Sequence, residues 1–160
     1  MDEAGRAYLS GLKLLARREL SERQLRARLA RRQFEPDHIE AAVERLRQER
    51  ALDDRRVALA CARTEAGVRG RGRGRVLRQI EALGIARDVA RAAVNEVFGD
   101  IDEAALLEQA LDRRLRRGIA LDDEADVRRV HRYLISQGFD PSRVAAVVQS
   151  KIKHQKSRIL

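Results

Sequence analysis

Aromatic side chains are scarce in this 160-residue chain: they make up 3% of it, and there is no Trp. So little aromatic surface cannot line a large ligand pocket or build a platform on which bases stack. Cys61 is the only cysteine, which excludes an internal disulfide and fits a reducing compartment. Only two prolines occur, and no alternating apolar run is long enough for a strand. No uncharged apolar stretch approaches the length that spans a bilayer. The opening Met1-Asp2-Glu3-Ala4-Gly5-Arg6 lacks a basic region followed by an apolar one, so it does not read as a signal peptide, and a cytoplasmic location is expected. His38, His131 and His154 show no ligand spacing to one another or to Cys61, so no metal site is expected. No Ser/His/Asp or Cys/His set is visible. The expectation is a protein that binds rather than catalyses, with no cofactor and no small-molecule ligand.

What the chain has in abundance is Ala, Leu, Arg and Glu, all strong helix formers. It is 44% apolar, enough for a core, and 37% charged, with a net charge of +9. That charge favours a polyanionic partner: nucleic acid, or a complex containing it. The excess is not a basic tail. Residues 1–50 carry 12 Lys and Arg against 9 Asp and Glu, residues 51–100 carry 10 against 7, and residues 101–160 carry 12 against 9. The interspersed acids argue against a surface that coats DNA all round.

An internal repeat organises the chain. A short hinge recurs as Gln33-Phe34, Gly84-Ile85 and Gly138-Phe139. Nine residues before it stand Leu25, Val76 and Val130, and five before it Leu29, Ile80 and Leu134. After it, Ile39, Val43 and Leu46 correspond to Ala90, Val94 and Val97, and to Val144, Val148 and Lys151, where only the last is polar. This spacing is one face of an α-helix. Gly84 and Gly138 stand where a helix ends in a left-handed residue, whereas Gln33 predicts a turn that closes differently. Asp140-Pro141 and, more weakly, Glu35-Pro36 read as helix starts, and Ser21 with Gln24 has the spacing of a capping box. A further helical stretch precedes each pair, at 4–18, 54–68 and 103–117. The fold class is therefore all-α: three tandem three-helix repeats, residues 1–52, 53–100 and 101–160, forming an elongated, curved array. The tail from Lys151 onward reads as the frayed end of the last helix.

Three basic clusters are candidate contact sites for a partner or DNA. The run Arg69-Gly70-Arg71-Gly72-Arg73-Gly74-Arg75 holds four arginines and no acid. Guanidinium groups bind phosphate in bidentate fashion, and glycines let a backbone approach closely. The run matches neither the P-loop nor the dinucleotide fingerprint. It reads either as an anion contact or as a solvated turn, mobile and reaching outward in both cases. Arg23, Arg26, Arg28, Arg31 and Arg32 crowd the second predicted helix, and Arg113, Arg114, Arg116 and Arg117 form the third cluster. Either is equally open to a reading as a solvated helix face. Asp53-Asp54 and Asp122-Asp123-Glu124 precede predicted helices, where acids suit the helix dipole, so they read as caps rather than as an acid–base or magnesium site.

Taken in order, Ser21-Glu22-Arg23-Gln24-Leu25-Arg26-Ala27-Arg28-Leu29, then Phe34, Ile39, Val43, Leu46 and Leu52-Asp53-Asp54, resemble the first half of the RecX family, regulators of the recombinase RecA. Arg69-Gly70-Arg71-Gly72 leading to Val76, Ile80 and Gly84-Ile85, and Tyr133-Leu134 leading to Gln137-Gly138-Phe139, extend the resemblance over roughly residues 6–150. It departs at Gln33 and Arg50, where the family commonly has glycine, and at Val57, where an aromatic is usual. The resemblance implies a regulator in homologous recombination, DNA repair and the SOS response. Such a regulator binds the RecA–single-stranded DNA filament and suppresses its growth, ATP hydrolysis and strand exchange. The implied partner is the RecA nucleoprotein filament, with single-stranded DNA as a candidate direct contact and no membrane. The alternative is a DNA-binding regulator that uses its units as helix-turn-helix readers without RecA. Against it, the third helix of each unit begins Pro36-Asp37-His38, Arg87-Asp88-Val89 or Pro141-Ser142-Arg143, and acids there oppose phosphates.

Overall fold

The computed structural model describes residues 2–159, and within them the fold is entirely helical. The helices are α1 Glu3–Leu15, α2 Glu22–Ala30, α3 Pro36–Gln48, α4 Asp54–Arg63, α5 Arg73–Ala82, α6 Arg87–Phe98, α7 Glu103–Arg116, α8 Glu124–Ser136 and α9 Pro141–Ile159. A single π-helical turn, Thr64–Val68, prolongs α4. α9 keeps its helical course to Ile159, so the expected fraying from Lys151 is not seen; the final residue of that tail lies outside the described residues.

Local chemistry sets the helix starts. Asp2 accepts the amide of Gly5 at 2.8 Å, Asp102 that of Ala105 at 3.0 Å, and Asp123 that of Asp126 at 2.8 Å. Ser21 and Gln24 complete the capping box, each side chain bonded to the other's backbone. Pro36 and Pro141 occupy first-turn positions that need no amide donor.

The chain forms two compact units, the first holding the residues up to Cys61 with Gln79–Ala93, the second Ala62–Arg78 with Val94 onward. The middle three helices contribute segments to both units. In the first unit α1, α2 and α3 enclose Ala7, Leu14, Leu25, Leu29, Val43 and Leu46. In the second, α7, α8 and α9 enclose Leu107, Leu111, Val130, Leu134, Val144 and Val148. The repeat residues Leu25, Leu29, Val43, Val76, Ile80, Val94, Val130, Leu134 and Val148 are all buried. Each such side chain contributes on the order of 1.5–3 kcal/mol by leaving water.

The hinge turns correct one expectation. Gln33 adopts φ +64°, the left-handed conformation that Gly84 (+82°) and Gly138 (+97°) also adopt. The Phe34 amide reaches the Leu29 carbonyl at 3.4 Å, just as the Phe139 amide reaches that of Leu134 at 3.3 Å. The first turn therefore closes like the third, at the steric cost that a Cβ imposes in this region. Arg50 repeats the device at φ +58°.

A candidate interaction surface

The Gly-Arg run is built into the second unit. The Gly72 amide donates to the Gln137 carbonyl at 2.9 Å, and the Gly74 amide to the Gly138 carbonyl at 3.0 Å. The start of α5 and the α8–α9 corner therefore meet backbone to backbone. A Cβ on Gly72 would stand 2.6 Å from the Gly138 carbonyl carbon, so only glycine fits. The first unit repeats the joint at the start of α2: Ser21 Oγ donates to the Leu83 carbonyl at 2.5 Å, and the Glu22 amide to Asp54 Oδ1 at 2.8 Å. Asp54, read from sequence as a cap for its own helix, thus serves α2 instead. Burial raises its carboxyl above the usual range.

The arginines of the run are tied down, which corrects the expectation that they are mobile and reach outward. Glu65, 4% exposed in the π-helical turn, pairs with Arg69 at 3.0 Å and with Arg71. The acid that balances them lies four residues upstream of the run, within the helix before it, where a reading of the run alone finds none. Arg73 Nε donates to Glu103 Oε1 at 2.9 Å, its Nη1 donates to Asn95 Oδ1 at 2.7 Å, and its guanidinium lies 5.1 Å from the Phe98 ring centre. Arg75 Nη1 stands 3.5 Å from the Ser136 carbonyl.

The other clusters divide in the same way. Arg26 is held by Glu40 at 2.8 Å and Glu22 at 3.3 Å, and its guanidinium keeps the Glu40 carboxyl below the usual carboxylate range. The Arg23 side chain packs against Gly84. Arg113 packs against Gly70, while Arg114 covers the Tyr133 ring at 4.5 Å. Arg116 and Arg117 are exposed. In the first unit Arg32 Nη1 donates to Ser10 Oγ at 2.6 Å. Ser10 and Lys13 stand one turn apart on α1, so Arg32 closes beside Lys13, and Arg17 lies in the turn just beyond the end of α1. Among the described residues the side chains of Lys13, Arg17, Arg28 and Arg31 have no hydrogen-bond or ion-pair partner. Lys13 and Arg17 were not singled out from the sequence, where they sit in a helix that reads as mostly apolar; their i, i+4 spacing was the available signal.

Residues 7–46 match the model of the RecX first three-helix domain. A protein named Regulatory protein RecX from Syntrophotalea carbinolica is 36% identical over 135 residues, covering 83% of this chain and 88% of that one. This chain belongs to the RecX family. The RecX protein of Halorhodospira halophila is 32% identical over 152 residues, 91% of each chain. Among solved structures, RecX from Lactobacillus salivarius superposes with a TM-score of 0.81 at 15% identity, over 93% of this chain and 96% of that one. A second structure, of a regulatory protein RecX, gives 0.79 at 21% identity, over 91% and 71%. At such identities the two structures establish a common RecX fold. The relatives bear the name of regulatory proteins, not of enzymes. Among the described residues no three His, Cys, Asp or Glu side chains gather as a metal site, and no helix is long and apolar enough to cross a membrane.

Proposed function

We propose that this chain regulates RecA by binding the RecA–single-stranded DNA filament and limiting its growth, ATP hydrolysis and strand exchange. Membership of the RecX family is the observation that carries this reading. The surface chemistry supports it. Lys13, Arg17, Arg28 and Arg31 are cations whose charge no internal acid offsets, and such groups attract the phosphates of a single strand or the acids of a protein filament. A regulator of this kind acts by occupancy. Several modest contacts, repeated on one target, sum to tight binding without a catalytic group.

The test replaces Lys13, Arg17, Arg28 and Arg31 together with Ala and follows filament length by electron microscopy and single-strand binding by anisotropy. Four phosphate contacts on a single strand give a log–log salt slope of about −3. The expected result is a flatter slope and longer filaments for the variant. A variant that shortens filaments as well as the parent, with an unchanged slope, removes this surface from the account. If the filaments lengthen while binding to free DNA stays the same, the four cations meet RecA itself.

A further inference from the structure

A cleft of about 530 Å³ opens beside the glycine joint of the second unit. Its floor includes Phe98, Leu107 and Phe139, and its rim carries Ile135, a large apolar side chain 40% exposed on α8. Arg73, Arg78 and Arg143 also line it. Glu103 is shared: Oε1 accepts from Arg73 at 2.9 Å and Oε2 from Arg143 at 3.1 Å. Asp140, the other acid at the cleft, caps α9, accepting the amides of Ser142 at 3.0 Å and Arg143 at 3.1 Å. The Arg78 side chain has no hydrogen-bond or ion-pair partner among the described residues. Three guanidinium groups thus line the cleft above an apolar floor: two share the Glu103 carboxylate, and the third, that of Arg78, is left without an acid.

The fold does not require these arginines. At the offsets of the hinge repeat, Arg73, Arg78, Ile135 and Arg143 correspond to Glu22, Ala27, Glu81 and Val89 of the first unit. There the Ser21 hydroxyl makes the corresponding joint to the Leu83 carbonyl without a cationic trio. The second joint therefore carries chemistry beyond what closing the turn demands.

We propose that this cleft docks an extended acidic segment of a protein partner, with its carboxylates on Arg78 and Arg143 and an apolar side chain against Ile135 and Phe139. Charge complementarity selects the occupant: the unshared guanidinium edges want carboxylates, and bidentate pairing suits them. Nucleic acid fits less well. The Phe98 face is already covered by Arg73 and Phe139 is only 8% exposed, so no open ring face is offered for a base to stack on, whereas Ile135 offers an aliphatic contact that suits a peptide side chain. The inference rests on the reading of the chain as a protein-binding regulator and names the kind of segment recognised.

The experiment titrates isotope-labelled protein with the peptide Glu-Asp-Phe-Leu-Asp-Glu and follows backbone amides by NMR. Parallel titrations use Gln-Asn-Phe-Leu-Asn-Gln and a fifteen-residue oligo(dT), chosen at about the length such a probe needs. The acidic peptide should shift the amides of Gly72, Gly74 and Gly138, and the amidated peptide should not. Arg78→Ala with Arg143→Ala should weaken binding about ten-fold or more, as loss of charged hydrogen bonds does. Ile135→Glu, which leaves the arginines in place, should weaken it too. The proposal is overturned if the acidic peptide leaves these amides unmoved. It is equally overturned if oligo(dT) shifts them and the arginine variant loses that binding instead. RecA ATPase measured with the same variants separates the two readings. Inhibition by the parent without peptide docking sinks the cleft alone, and absence of inhibition by the parent sinks the regulator reading whatever the peptide does.

Discussion

Gly72→Ala isolates the glycine joint of the second unit. The added methyl would lie 2.6 Å from the Gly138 carbonyl carbon and 2.7 Å from both its oxygen and the Phe139 nitrogen. All three are backbone atoms, so no rotamer change relieves the clash. An ordinary contact needs close to 1 Å more than that, and a shift of such size breaks the bonds from the Gly72 amide to Gln137 and from the Gly74 amide to Gly138. Two lost hydrogen bonds cost about 0.5–1.5 kcal/mol each, and loosening Phe139 in the core adds a similar amount, for a total of about 2–4 kcal/mol. The control is Gly67→Ala in the π-helical turn, where an added methyl meets nothing within 4 Å. Restricting the unfolded chain there should leave stability unchanged or raise it by up to about 1 kcal/mol. Urea unfolding followed by circular dichroism reads both variants. If Gly72→Ala falls within about 0.5 kcal/mol of the parent, the joint is not held by the close backbone approach, and this reasoning fails.

Further outcomes follow from the same structure. Gln33→Gly and Arg50→Gly, at φ +64° and +58°, should each stabilise by about 0.5–1 kcal/mol, because glycine takes the left-handed region without the Cβ penalty; unfolding midpoints that do not rise would show the turns to be unstrained. Leu29→Ala, fully buried in the first unit, should cost about 2–5 kcal/mol, and a loss below about 1 kcal/mol would mean that its face is not packed. Glu40, Glu49 and Asp140 are held below the usual carboxylate range, chiefly by hydrogen bonds from Arg26, Tyr8 and Ser142 respectively. Lowered groups stabilise the fold above their unfolded values, near pH 4, and lose that contribution as pH falls through the lower folded values. Asp54, raised by burial, acts in the opposite sense and offsets part of the loss. The thermal midpoint should therefore hold from pH 7 to about 5 and drop below pH 4, and a midpoint that rises on acidification would contradict the assignment.

The helices and the apolar stripe were legible because burial of a helix face leaves a period in the sequence that no other fold feature imitates. Leu25, Val76 and Val130 share a register and a fate, and Gly84 and Gly138 announce their own turns. The closure at Gln33 was hidden, because tertiary packing can hold a non-glycine residue in a left-handed turn at a cost the sequence does not display. The arginines of the Gly-Arg run were misjudged for a different reason. Glu65 stands at the helical i, i+4 spacing from Arg69 but outside the run, while Asn95 and Glu103 lie on later helices, and pairing between distant elements has no periodic trace. The same holds for Arg78 and Arg143, far apart in the chain and brought to one cleft by the joint between α5 and the α8–α9 corner. Lys13 sits among the apolar residues of α1 and Arg17 in the turn after it, so neither stands out as part of a basic cluster.

The central claim is tested most directly by titrating the protein into RecA, single-stranded DNA and ATP while hydrolysis is followed. Regulation by filament binding predicts that substoichiometric protein lowers the ATPase, and lowers it more when added while filaments are still growing. Unchanged hydrolysis and unchanged filament length at excess protein would contradict the account.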